Sequence, residues 1–115
     1  MTDAECSIDD IGGFLGDQTA RRILIEASQQ PMSVESLSDA TDASKPTIYR
    51  RLNDMRRCDL LVEQTELDTE AGHHHTLFST NLQRIVVELE AHGIEYELHH
   101  PEAMEDRFTR LIEEI

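Results

Sequence analysis

Apolar positions fall at helical spacing in four consecutive stretches of this chain, then switch to alternation. Ile8, Ile11, Phe14 and Leu15 mark a short helical segment, Ser7–Leu15, that ends at Gly16. Asp17 follows as an N-cap, because a carboxylate can accept from the free N–H groups of a first helical turn. The helix it opens runs to about Ser28, with Ala20, Ile23, Leu24 and Ala27 at i, i+3, i+4 and i+7 on one stripe. After Pro31, Ser33 caps a helix whose inward positions are Val34, Leu37 and Ala40. Thr41-Asp42-Ala43 is a gap of turn length. Ser44 then caps a longer helix from Lys45 to about Asp59, with Pro46 in its first turn, where a missing N–H costs little. Ile48, Leu52 and Met55 form its buried side.

Alternation begins at Leu60. Leu60–Leu67 reads as a strand, Asp68-Thr69-Glu70-Ala71-Gly72 as a polar loop, and His75–Thr80 as the strand that pairs back. Two amphipathic helices, a short turn, a longer helix and a hairpin directly after it describe a winged helix-turn-helix. The stretch from Leu82 fits two patterns. Leu82, Ile85, Val86 and Leu89 suit a helix, whereas Ile85, Val87 and Leu89, then Ile94, Tyr96 and Leu98, alternate around Ala91-His92-Gly93. The glycine-containing turn between two alternating runs favours a second hairpin. Pro101 opens a terminal helix with Met104, Phe108, Leu111, Ile112 and Ile115 on one stripe. Its apolar face is left over once the core is filled, so it is expected to meet a partner chain or the first helix. The expected class is therefore α+β: a winged helix-turn-helix unit over 7–80, and a dimerisation extension of hairpin plus helix over 81–115.

Composition narrows the function. A chain of 115 residues with 38% hydrophobic positions suits a single modest core plus one appended element. No apolar run reaches the roughly 18 residues of a membrane span, and the acidic start Met1-Thr2-Asp3-Ala4-Glu5 lacks the order of a secretory signal, so a cytoplasmic protein is expected. Cys6 and Cys58 are too few and too far apart in sequence to suggest a disulfide framework.

The net charge of −14, with Lys45 as the only lysine among ten basic residues, argues at first against nucleic acid. Disorder is set aside because the apolar positions are periodic. An acid-rich, lysine-poor surface suits concentrated salt, where the Debye length shrinks to about 3 Å at about 1 M and self-repulsion is screened. The helix after Ser44 reverses the balance. Lys45, Arg50, Arg51, Arg56 and Arg57 face only Asp54 there, which places half of all basic residues in one helix. Lys45, Thr47, Tyr49, Arg50 and Asn53 lie outward of, or flank, the buried stripe. Arginine can donate two bonds to guanine O6 and N7, while Ser44, Thr47 and Tyr49 can reach phosphates or a thymine methyl. The alternative is a solvated face whose arginines pair with neighbouring acids.

Residues 8–115 resemble the haloarchaeal branch of the ArsR-type (arsenic-repressor-like) winged-helix regulators. The resemblance rests on Leu15-Gly16-Asp17, Pro31-Met32-Ser33, Asp59-Leu60-Leu61-Val62, Gly72-His73-His74-His75 and Asp106-Arg107-Phe108-Thr109-Arg110-Leu111. Its most specific piece is Ser44-Lys45-Pro46-Thr47-Ile48-Tyr49-Arg50-Arg51-Leu52. It implies a dimeric, sequence-specific regulator of double-stranded DNA and supports the hairpin over 84–99. It brings no arsenic site, because the paired-cysteine motif of the founding members is missing.

On this reading Ser44, Lys45, Thr47, Tyr49, Arg50, Arg51, Asn53, Arg56 and Arg57 contact DNA, joined by His73, His74 and His75 from the wing. Protonated imidazoles can meet phosphates or a narrow minor groove. Three histidines could instead ligate a metal, with His92, His99, His100 or Cys6 as further ligands, although neighbours on a strand point to opposite faces. An inert loop is the third reading. Cys58 is a small apolar filler or, beside Arg56 and Arg57, a redox-sensing thiol. The dimer interface is expected at Met104, Phe108, Leu111, Ile112 and Ile115. No phosphate loop or nucleophile motif points to an enzyme, and no cofactor or bound metal is expected. A metal- or redox-responsive regulator of the same fold, and a protein-interaction module that does not bind DNA, remain open, and the effector is unidentified.

Overall fold

The computed structural model describes residues 6–68 and 73–101. Four helices come first: α1 (Ile8–Leu15), α2 (Gln18–Gln29), α3 (Val34–Thr41) and α4 (Lys45–Arg57). The last three begin at the caps expected of them, and α1 begins at Ser7, which was expected to lie within the helix. Ser7, Asp17, Ser33 and Ser44 accept from Asp10, Ala20, Ser36 and Thr47 N–H respectively, and Ser7 and Asp10 cap one another reciprocally. The apolar stripes converge on one core. Ile11, Ala20, Ile23, Leu24, Ala27, Leu37, Ile48, Leu52 and Met55 are all buried, joined by Met32, Leu60, Leu61 and Phe78.

The longest helix stops at Arg57, two residues before the expected end. Asp59 takes a left-handed φ of 60°, its N–H donates to the Arg56 carbonyl, and the Leu60 N–H donates to that of Met55. These two crossed bonds form a Schellman ending, with Met55 and Leu60 both buried at its hydrophobic contact. The chain is thereby turned directly into the first strand.

Strands β1 (Leu61–Asp68) and β2 (His73–Thr80) pair antiparallel with Leu61 opposite Thr80 and Glu63 opposite Phe78. Met32 extends this sheet, exchanging backbone bonds of 2.9 and 2.8 Å with Phe78. The wing is thus tied to the linker between α2 and α3. Beyond this anchor, Glu63 to Glu66 stand exposed. The return strand starts at His73, earlier than the expected His75, and all three wing histidines belong to it.

Strands β3 (Arg84–Glu90) and β4 (Gly93–His99) form a separate antiparallel hairpin, which settles the stretch after Leu82 in favour of alternation. Ile85 opposes Leu98, Val87 opposes Tyr96 and Leu89 opposes Ile94, so one face is apolar throughout. Its base packs on the core through Ile85, Tyr96 and Leu98, while Leu89 at the tip is 82% exposed. The architecture is α+β, a winged helix-turn-helix with a second hairpin. The terminal helix expected after Pro101 lies outside the described residues.

Cys6 and Cys58 correct the sequence reading. They are 52 positions apart, yet their Cα atoms lie 5.1 Å apart and their sulfurs are bonded. The bond joins the residue before the α1 cap to the C-cap of α4. Separation along the chain carried no information here, because the tertiary fold brings the segment before α1 to the end of α4.

Candidate nucleic-acid interface

The helix-turn-helix is held in shape by its own short polar side chains. Asp42 closes α3 with a φ of 64°, and its N–H reaches the Ser38 carbonyl at 2.9 Å. Thr41 donates to the Leu37 carbonyl at 2.8 Å and accepts from Ala43 N–H, while the Ser38 hydroxyl bonds the Ala43 carbonyl. Ser44 then starts α4, its hydroxyl already engaged with Thr47. A turn fixed in this way sets the angle at which α4 leaves α3.

With Ile48, Leu52 and Met55 buried, the remaining positions of α4 form rows along its outer side. Lys45, Tyr49, Asn53 and Arg56 line one wall of a groove of about 510 Å³; Glu63, His75 and Thr76 of the wing line the other, and Ser33 and Glu35 close its end. Tyr49 is 54% exposed. Arg50 and Arg57 follow on the next row, turned further from the wing. The outer face of α4 and the wing therefore border one concavity, and His75 of the wing lines it.

The charges on this face are mostly paired. Lys45 lies 3.8 Å from Glu35, Arg56 lies 3.2 Å from Glu63, and Arg57 lies 3.0 Å from Asp54. All three pairs are solvated, and such pairs contribute only about 0–1 kcal/mol. A phosphate or a guanine edge can take the place of each acid at little cost. Arg50 is exposed and makes no ion pair among the described residues. It is the arginine of α4 that needs no rearrangement to meet a ligand.

Arg51 stands apart from the other expected contacts. Its guanidinium turns back onto Asp17, with Nε to Oδ2 at 2.9 Å and a second nitrogen to Oδ1 at 3.1 Å. Asp17 also caps α2 through Ala20 N–H at 2.8 Å. The Arg51 hydrogen bond first, and the Ala20 N–H after it, hold the Asp17 carboxyl below its ordinary value, and Asp17 in turn raises the Arg51 guanidinium. The pair braces α4 against the start of α2. Sequence spacing held a signal for this: Arg51 is three residues after Ile48 and four before Met55, at the border of the buried stripe.

The other histidines lie away from the wing, on or beside the second hairpin. His92 sits at its turn, His99 pairs with Glu97 at 3.3 Å, and His100 bonds the Asn81 carbonyl. Among the described residues, the group able to gather around an ion is Cys6, Asp10 and Cys58, with no histidine in it. Sequence reasoning missed three features: the partner of Arg51, the acids Glu35 and Glu63 set against the basic face, and the cysteine pair.

Residues 17–62, from the cap of α2 to the first residues of the wing, match the family described as bacterial regulatory protein, arsR family. The helix-turn-helix is thus of the kind found in DNA-binding regulators. Among curated proteins, none matches the chain. Among the described residues, no helix is long and apolar enough to cross a membrane.

Proposed function

We propose that this protein is an ArsR-type transcriptional regulator that binds a two-fold symmetric duplex site as a homodimer in a high-salt cytoplasm. The observation that carries the reading is the outer face of α4: basic, solvent-facing, and aligned with the wing along a single groove in a chain of net charge −14. Docking α4 in the major groove places Arg50 and Asn53 towards base edges, while Lys45, Tyr49, Arg56 and Arg57 reach phosphates. Thr47 and the first turn of α4 support that approach, and His73, His74 and His75 contact the flanking backbone or minor groove. Arg51 holds α4 in place and does not read sequence.

Residues 7–80 serve as the DNA-binding unit and 81–115 as the dimerisation extension. The apolar stripe Met104, Phe108, Leu111, Ile112 and Ile115 pairs the two copies, which sets the spacing of their recognition helices. The acidic remainder of the surface suits a salt-accumulating cell, where screening removes most of its repulsion from DNA. No enzymatic step belongs to this reading.

Selection of bound duplexes from a random pool, carried out at high salt, tests it. A motif of two inverted half-sites about one helical turn apart is expected. Recovery of no motif at any salt concentration contradicts it and favours a protein-interaction module.

A further inference from the structure

We infer that Cys6 and Cys58 form a reversible thiol–disulfide site whose oxidation by a peroxide-class oxidant tightens DNA binding; this rests on the regulator reading above. The bond lies where three parts meet. Cys58 caps α4, Cys6 precedes the cap of α1, and the Cys6 carbonyl accepts from the Tyr96 hydroxyl of β4 at 2.9 Å. The covalent link thus ties the end of the recognition helix to the segment before α1, and one hydrogen bond carries the connection on to the second hairpin. A protein that acts on DNA shares the reducing compartment of the chromosome, where disulfides are rare and those that form are usually transient and redox-sensing.

The two sulfurs differ in access. Cys58 is 5% exposed, whereas Cys6 is half-buried, so Cys6 meets the oxidant first. Its thiolate attacks the peroxide O–O bond, giving a sulfenic acid, and the departing hydroxide takes up the proton. The Cys58 sulfur then displaces hydroxide from Cys6 sulfur as its own proton leaves, forming the S–S bond. Two thiols and one peroxide become one disulfide and two waters. A dithiol reverses the step by exchange, supplying two electrons and two protons. Asp10 places a carboxylate oxygen within 4.8 Å of both sulfurs. The closed form preorganises α4 relative to the elements that carry the second hairpin, which lowers the ordering cost of docking two helices at once.

The test uses the full chain and the selected duplex, with the protein reduced by dithiothreitol or oxidised by stoichiometric hydrogen peroxide. Intact mass reads the loss of two hydrogens, and fluorescence anisotropy reads affinity, in the parent and in Cys6→Ser. Oxidised parent is expected to bind about fivefold or more tightly than reduced parent, a modest coupling between sites. Cys6→Ser is expected to bind alike in both conditions, at the reduced level. Equal affinities, tighter binding by the reduced form, or no disulfide under peroxide overturn the inference. So does zinc retained stoichiometrically by the reduced protein and protecting it from peroxide. Absence of duplex binding in both states and in Cys6→Ser marks failure of the regulator reading, and mass still decides whether the thiol pair forms and reverses.

Discussion

Removing the Asp17–Arg51 brace should weaken the fold by an amount that the two residues share. Asp17→Ala deletes both an N-cap and an ion pair, whereas Arg51→Ala deletes the pair alone. Loss of an N-cap costs about 1 kcal/mol. The pair makes two short charge-assisted bonds, and its side chains are 28% and 32% exposed, between the solvated and the fully buried cases. Exposed pairs contribute about 0–1 kcal/mol and bonds to charged groups about 1.5–3 kcal/mol, so a coupling of about 1–1.5 kcal/mol is expected. Arg51→Ala should therefore cost about 1.5 kcal/mol and Asp17→Ala about 2.5 kcal/mol, with the double variant close to the latter. Asp17→Asn keeps the cap and should resemble Arg51→Ala. Urea unfolding of all four variants and the parent at one fixed ionic strength measures each term. Costs that simply add, within about 0.3–0.5 kcal/mol, would refute the brace.

The same carboxylate gives a pH signature. Its folded value lies below the unfolded one, so its contribution is complete above about pH 4 and is lost as pH falls through the depressed folded value; Asp17→Asn should flatten that acid limb in pH-dependent unfolding. Affinity for the selected duplex should stay flat or rise from dilute buffer to above about 1 M salt, because screening relieves the acidic surface as it weakens phosphate contacts; a steep monotonic loss speaks against the high-salt reading. Phe108→Glu and Leu111→Glu should each give monomers by light scattering, since a charge in a buried apolar contact costs several kcal/mol, roughly 3 or more, unless hydrated; dimers in both place the interface elsewhere.

The order of the helices from α2 to α4 was legible because a cap and an apolar period agreed at each one. Asp17, Ser33 and Ser44 announced helix starts, and the stripe Ile48, Leu52, Met55 identified the buried side of α4 and so its outward face. The second hairpin was legible from Gly93 between alternating runs. What stayed hidden depended on tertiary approach. Glu35 and Glu63 reach the basic face from α3 and β1, and Asp17 reaches Arg51 across 34 positions. No local pattern encodes such meetings. Cys6 and Cys58 are the same case: the fold brings the segment before α1 to the end of α4 across 52 positions. The end of α4 was misplaced because Asp59 was read as helical, whereas its left-handed backbone completes the Schellman turn.

The central claim is that the outer face of α4 reads DNA, and Arg50 is where it can be tested with least ambiguity. Arg50 is exposed and has no ion pair among the described residues, so its removal should leave the fold alone. The measurement is affinity of Arg50→Ala for the selected duplex and for each single-base-pair variant of it, alongside a urea unfolding curve. Losing a bidentate base contact costs about 1–3 kcal/mol, roughly 5- to 150-fold in affinity, and flattens discrimination at one base pair per half-site. That pattern, with an unfolding midpoint like the parent's, is the expected result. Parent-like affinity and an unchanged base preference at every position would contradict the assignment of α4 as the recognition helix.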